Sequence, residues 1–223
     1  MDEMAAARLN MVESQIRPNA VTDRRIIEAM LDIPREVFVP ASLRSLAYMD
    51  DEVPVEPLGG MIQPRSLMSP MALARLIQLA DVHADDLVLD VGCTTGYSTA
   101  ILARMAGAVI GLEVDEDLAA LAGTTLSELE ADNADVAVGP LTKGAPDEGP
   151  YDVIVLQGSI PHEPEELLAQ LKDGGRLVAV VRGNAVSRAM LFERVGTDIS
   201  SRRAFDCAAP PLPGFEERPV FVF

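Results

Sequence analysis

Two glycines and one acid are the residues in this chain whose types and spacing suit a nucleoside ligand. Gly92 and Gly96 follow the apolar run Leu87–Val91, and Glu113 closes a second apolar run, 108–112. The order is strand, glycine turn, helix, then a strand ending in an acid, which is how an α/β sheet builds such a pocket. Glycine lets backbone approach a ligand closely, and unpaired N–H groups at a helix mouth can hold a carboxylate. Glu113 can accept hydrogen bonds from both hydroxyls of a ribose. A glycine turn by itself is also what any tight strand-to-helix connection uses. The acid at this distance is what tips the reading toward a binding site.

The ligand class follows from what is missing. A dinucleotide fingerprint needs glycine at three fixed positions so that a pyrophosphate can lie on the helix. Here Thr94 stands between the two glycines, and no third glycine follows. A ligand with a carboxylate and an amine in place of a pyrophosphate needs less room, and Asp90 can accept a hydrogen bond from that amine or from a water. The pattern favours S-adenosylmethionine, with Asp90, Gly92, Cys93, Thr94, Gly96, Tyr97 and Glu113 around it. Cys93 reads as a small turn residue rather than a nucleophile. His83 reads as a surface residue before the first strand, at the end of the sheet away from the ligand. His162 follows a later strand on the ligand side and reads as a solvated loop residue or a substrate contact. Arg65 reads as a surface arginine or the partner of a substrate carboxylate.

These residues need a scaffold, and the periodicity supplies one. Residues 2–15 have helical spacing, and a second helix starts after Thr22, its expected cap, with Ile26, Ile27, Met30 and Leu31 on one face. Residues 53–66 carry three prolines and two glycines and read as an irregular loop. Ser69-Pro70 starts a helix. Strands are expected at 87–91, 108–113, 136–138, 151–156 and 176–181, with helices at 97–106, 117–129 and 165–171, the last ended by Asp173-Gly174-Gly175. Such alternation demands a parallel sheet with right-handed crossovers. Beyond Arg182, Met190–Val195 and Val220–Phe223 read as antiparallel edge strands. The expectation is one domain over 1–223: a helical cap (1–50), a doubly wound core (70–182) and edge strands (183–223).

Composition narrows the partners. Thirty-five acidic against 18 basic residues give a net charge of −17, which argues against a surface that tracks nucleic-acid phosphates. Two cysteines make no disulfide framework or zinc ligand set. The start, Met1-Asp2-Glu3-Met4-Ala5, lacks a basic and apolar leader, and no apolar run approaches the roughly 20 residues of a membrane helix. A soluble, cytoplasmic protein is expected, with no nucleic-acid or membrane partner.

The chain also resembles the protein-L-isoaspartate O-methyltransferase family along nearly its whole length. The resemblance rests on Met11-Val12-Glu13-Ser14-Gln15-Ile16, Asp23, Ala29-Met30, Pro34-Arg35, Phe38-Val39-Pro40, Ala47-Tyr48 and Asp50. It continues through Val88–Gly92, Gly96-Tyr97, Tyr151-Asp152, Leu171-Lys172 and Gly174–Val178. The resemblance implies a Rossmann-like class I methyltransferase fold, S-adenosylmethionine as donor, and methylation of the side carboxyl of isoaspartyl residues in damaged proteins. It places Asp90, Gly92, Gly96 and Glu113 on the donor, and Met68 and Ser69 in the substrate loop. Three positions depart from the family pattern. Met68 replaces a serine that neighbours the transferred methyl, Gly139-Pro140 replaces an acid that contacts adenine, and Thr94 replaces a glycine. A thioether cannot donate a hydrogen bond as a hydroxyl can. Ser66 and Ser69 flank Met68 and would serve only if the loop is shifted. A different acceptor, or a fold kept for interaction without turnover, therefore stays open beside isoaspartyl methylation. Such a transfer needs no strong general base, because a carboxylate is already ionised at pH 7.

Overall fold

Runs such as Val88–Val91 and Val153–Leu156 show no alternation of polar and apolar residues, so they demand burial on both faces. The computed structural model, which describes residues 3–55 and 65–216, meets that demand with helices on each side of one sheet. Its main strands are β3 (Leu87–Val91), β4 (Ala108–Glu113), β5 (Ala134–Val138), β6 (Tyr151–Ile160), β7 (Leu171–Val181), β8 (Arg188–Val195) and β9 (Asp198–Asp206). Their spatial order is β5-β4-β3-β6-β7-β8-β9, with parallel pairing up to β7 and antiparallel pairing beyond it. The chain turns outward in both directions from β3, so the crevice beyond the carboxyl ends of β3, β4 and β6 is the switch point.

Alternate residues of the central strands serve two apolar clusters. Val88, Val153, Val155 and Val178 face α3 (Pro70–Ala80), α4 (Tyr97–Ala103) and the cap. Leu89, Val91, Ile154 and Leu177 face the opposite side with Leu141, Leu167 and Leu168. On that first side, α1 (Glu3–Met11) and α2 (Arg24–Asp32) contribute Met11, Ile26 and Met30 to the same cluster as Leu73, Leu76 and Ile77 of α3 and Tyr97 of α4. The cap thus shares the core of the sheet domain.

Several local expectations shift. The cap of α2 is Asp23, whose side chain accepts the Arg25 N–H. Thr22 instead gives its N–H to Gln78 Oε1 at 2.6 Å, an oxygen that also accepts the Asp23 N–H, while Gln78 Nε2 donates to Ala20 O. Helix α4 stops at Ala103, and α6 is a single turn, Glu165–Leu168. Asp173-Gly174-Gly175, read as a helix stop, lies inside β7, where the register against β6 slips between Tyr151 and Val153. A glycine pair in a strand marks such an irregularity. Part of the proline-rich stretch is ordered into strands: β1 (Val53–Pro54) pairs with β2 (Ser66–Leu67). The edge is a β8–β9 hairpin. β9 escaped notice because its residues are exposed or nearly so and carry no apolar alternation. The expected strand Val220–Phe223 lies outside the described residues.

Among the described residues no helix is long and apolar enough to cross a membrane. Gln78 is the one side chain holding three backbone groups of the cap entry, 20–23, to α3. Replacing it with alanine is predicted to cost about 1–2 kcal/mol, read as a lower urea midpoint at unchanged m-value.

Candidate active site

The turn after β3 is built by backbone conformations that few residues tolerate. Gly92 and Gly96 have φ of +79° and +93°, and Thr94 is left-handed too, at +52°. For a β-branched residue that conformation costs about 1–2 kcal/mol. It turns the Thr94 N–H onto Glu113 Oε2 at 2.8 Å. Glu113 is wholly buried at the end of β4, and its other oxygen accepts the N–H groups of Val114 and Asp115. The strand register puts the acid here, since β4 pairs with β3 up to Val91↔Leu112. The sequence-predicted turn and acid are therefore brought into direct contact.

A fourth donor was not anticipated. Arg65 is 4% exposed, and its Nη2 lies 2.7 Å from Glu113 Oε2 and 3.2 Å from Gly92 O. The reading of Arg65 as a surface residue is thus corrected. Arg65 immediately precedes β2, and a charge buried this deeply is kept by pairing it. Leu212 closes the turn from another direction. Its N–H donates to Ser159 O and Ser159 N–H donates to Pro210 O, so residues 210–212 lie along the end of β6. A Cβ on Gly92 would meet Leu212 Cδ2 at 2.6 Å and Arg65 Nη2 at 3.2 Å. Glycine is needed there because these side chains lean on the backbone.

Asp90, beneath the turn, is fully buried and collects three side-chain donors. Ser98 and Thr99 hydroxyls donate to Oδ2 at 2.7 and 2.6 Å, and Gln157 Nε2 donates to Oδ1 at 2.6 Å. Burial pushes its carboxyl up to about 6, helped by the nearby Glu113 charge, while the three hydrogen bonds pull the other way. None of these three donors stood out in the sequence as a site residue. Gln157 alone left a signal, as a polar residue ending a run of apolar ones.

The cap side of the turn is anchored by another unanticipated residue, Arg35. It has no exposure; Nε donates to Ala47 O and Nη2 to Met68 O, both at 2.7 Å. Its guanidinium stacks over the Tyr97 ring, 4.8 Å from the centroid, and Tyr97 meets Phe38 edge-on at 5.4 Å. Tyr97 thus joins the cap to α4. Met68 is buried, and Ser66, Leu67, Met68, Arg35, Thr94, Tyr97, Ser98 and Gln157 line one small cavity. Ser69 is not part of that lining; its hydroxyl accepts the Ala72 N–H as the cap of α3. The hydroxyl residue lining the donor turn from this loop is therefore Ser66.

The remaining candidates separate. Cys93 is buried, and desolvation holds its thiol well above the usual range, as expected of a turn residue rather than a nucleophile. His83 is exposed before β3. His162 is exposed after β6 and borders an open cleft of about 430 Å³ with Thr142, Glu163 and Phe215.

The donor set fits S-adenosylmethionine: an acid for the ribose, an acid beneath the turn for an amine, and turn glycines at positive φ. Comparison with known proteins points the same way. The sequence model of the family described as Protein-L-isoaspartate(D-aspartate) O-methyltransferase (PCMT) matches residues 6–213. A protein-L-isoaspartate O-methyltransferase from Koribacter versatilis is 34% identical over 94% of this chain and 92% of its own. One from Roseiflexus castenholzii is 35% identical over 93% and 92%. Among solved structures, a protein-L-isoaspartate O-methyltransferase superposes with a TM-score of 0.81 at 23% identity, over 93% of this chain and 66% of that one. A Plasmodium falciparum structure assigned to the same activity, in complex with S-adenosyl-L-homocysteine, gives 0.71 at 20% identity over 94% and 98%. At these identities the two structures speak for the fold.

Asp90 makes the site pH-sensitive. A buried acid titrating near 6 instead of 3.8 weighs on folding when ionised, a cost relieved as pH falls from about 6 toward 4. An amine ligand needs the ionised form, so affinity runs the opposite way. Calorimetric affinity for S-adenosylhomocysteine is predicted to be constant above about pH 6 and to fall as pH drops below it, and Asp90→Asn removes the step while weakening binding.

Proposed function

The chain belongs to the protein-L-isoaspartate O-methyltransferase family, as an S-adenosylmethionine-dependent O-methyltransferase, and from that premise we propose which residues act and on what. The proposed acceptor is the side carboxyl of isoaspartyl residues in proteins, and the proposed role is repair of damaged chains in the cytoplasm. Two free thiols, Cys93 and Cys207, suit such a reducing compartment. The observation that carries the reading is the convergence of Glu113, Asp90 and the strand Ser66–Leu67 on one glycine turn.

When bound, S-adenosylmethionine supplies an electrophilic methyl. Glu113 would hold the ribose, the Gly92–Gly96 turn would accommodate the carboxylate end, and Asp90 would take the amine. Asp90 keeps its charge for this through Ser98, Thr99 and Gln157. The acceptor needs no base, being ionised already; it needs alignment and exclusion of water. Arg35 supplies alignment by fixing the Met68 carbonyl and the Ala47 carbonyl in one grip, against the ring of Tyr97. Ser66 provides a hydroxyl beside the turn for the acceptor carboxylate. Met68 provides bulk that keeps water out, without a donor.

Methyl ester formation on a synthetic isoaspartyl peptide tests this. The chain is predicted to methylate it, and Met68→Ser to raise kcat/KM on the order of tenfold by adding a charge-assisted hydrogen bond. Tight donor binding with no ester from either protein would show that another group is the acceptor.

A further inference from the structure

Glu113 and Arg65 are joined by less than a structural ion pair usually makes. A built-in arginine–carboxylate pair is usually bidentate, with its remaining N–H groups satisfied. Here one nitrogen, Nη2, contacts one oxygen, and the buried Nε of Arg65 has no partner among the described residues. Glu113, by contrast, stays hydrogen-bonded without the arginine, through the N–H groups of Thr94, Val114 and Asp115. The arginine is the replaceable partner. Its second contact, Gly92 O, lies on the same turn.

Arg65 is also placed to transmit its own displacement. Its carbonyl accepts the Val55 N–H, and the next residues, Ser66 and Leu67, form β2 against Pro54 and Val53. Met68 follows directly, held by Arg35. The guanidinium on the donor acid and the strand that presents the acceptor loop are therefore one continuous piece of chain.

Building on the donor site proposed above, we propose that Arg65 is a positioning residue that latches the acceptor strand to Glu113 and competes there with the ribose diol of the methyl donor. Donor binding then breaks the Arg65–Glu113 pair and releases the residue next to Ser66, so that donor occupancy and acceptor-strand position are coupled. The latch lowers donor affinity in exchange for this coupling.

Calorimetry with S-adenosylhomocysteine on the full chain, Arg65→Gln and Arg65→Lys tests the competition. Arg65→Gln is expected to bind on the order of tenfold tighter than the unaltered chain, with Arg65→Lys between them. Amide exchange over residues 65–69 of the unaltered chain is expected to quicken when the ligand is added. Equal or weaker binding by a folded Arg65→Gln protein overturns the latch while leaving the donor site standing. No binding by any of the three proteins overturns both. If Arg65→Gln does not fold, the exchange experiment decides: faster exchange supports the latch, and unchanged exchange overturns it.

Discussion

A carboxylate with no exposure to water sits at the end of β4, and the site is arranged around supplying it with hydrogen-bond donors. Burying such a group costs several kcal/mol unless donors surround it. Glu113 collects backbone N–H groups from the turn after β3 and from its own following residues, and a guanidinium from the end of β2. Each donor fixes something else. The Thr94 N–H reaches the acid only because the backbone there is left-handed, and that conformation places the flanking glycines against Leu212 and Ala122. Arg65 reaches it only because β2 ends beside the turn. The acid therefore orders both the turn after β3 and the chain that leads into β2.

Arg35 plays the matching part on the cap side. Among the described residues it is a buried cation that no carboxylate contacts, held by two carbonyls and an aromatic face, with Nη1 lacking a partner. Burial pulls its proton affinity down against the opposing influence of Tyr97 and Tyr48. Such a group is expensive to keep, and what it achieves is geometric: it joins cap, acceptor loop and α4 at one point. The Thr95 hydroxyl, donating to Phe38 O at 2.7 Å, makes a second joint between the same parts.

Much of this was visible in the sequence, for identifiable reasons. Uninterrupted apolar strands, glycines at 92 and 96 and an acid at 113 are constrained by burial and backbone conformation, which act locally. The sheet, the turn and the acid could be read from them. Residues whose meaning depends on distant chain stayed hidden. Arg65 looks like any surface arginine until β2 brings it to Glu113, 48 residues away in sequence. Gln78 holds the cap across more than fifty residues. Ser69 was legible as a helix cap from the Pro70 beside it, and its hydroxyl does cap α3. β9 has no periodic signal since neither of its faces is buried.

In the proposed latch Glu113 serves two partners in turn, the Arg65 guanidinium and the donor ribose. The most direct measurement is a crystal structure of the chain with S-adenosylhomocysteine bound. Both ribose hydroxyls are expected within hydrogen-bond distance of Glu113, with the Arg65 guanidinium withdrawn from it. A ligand seated on the turn with the 2.7 Å Arg65–Glu113 contact intact, or a ribose held by other residues, would contradict it.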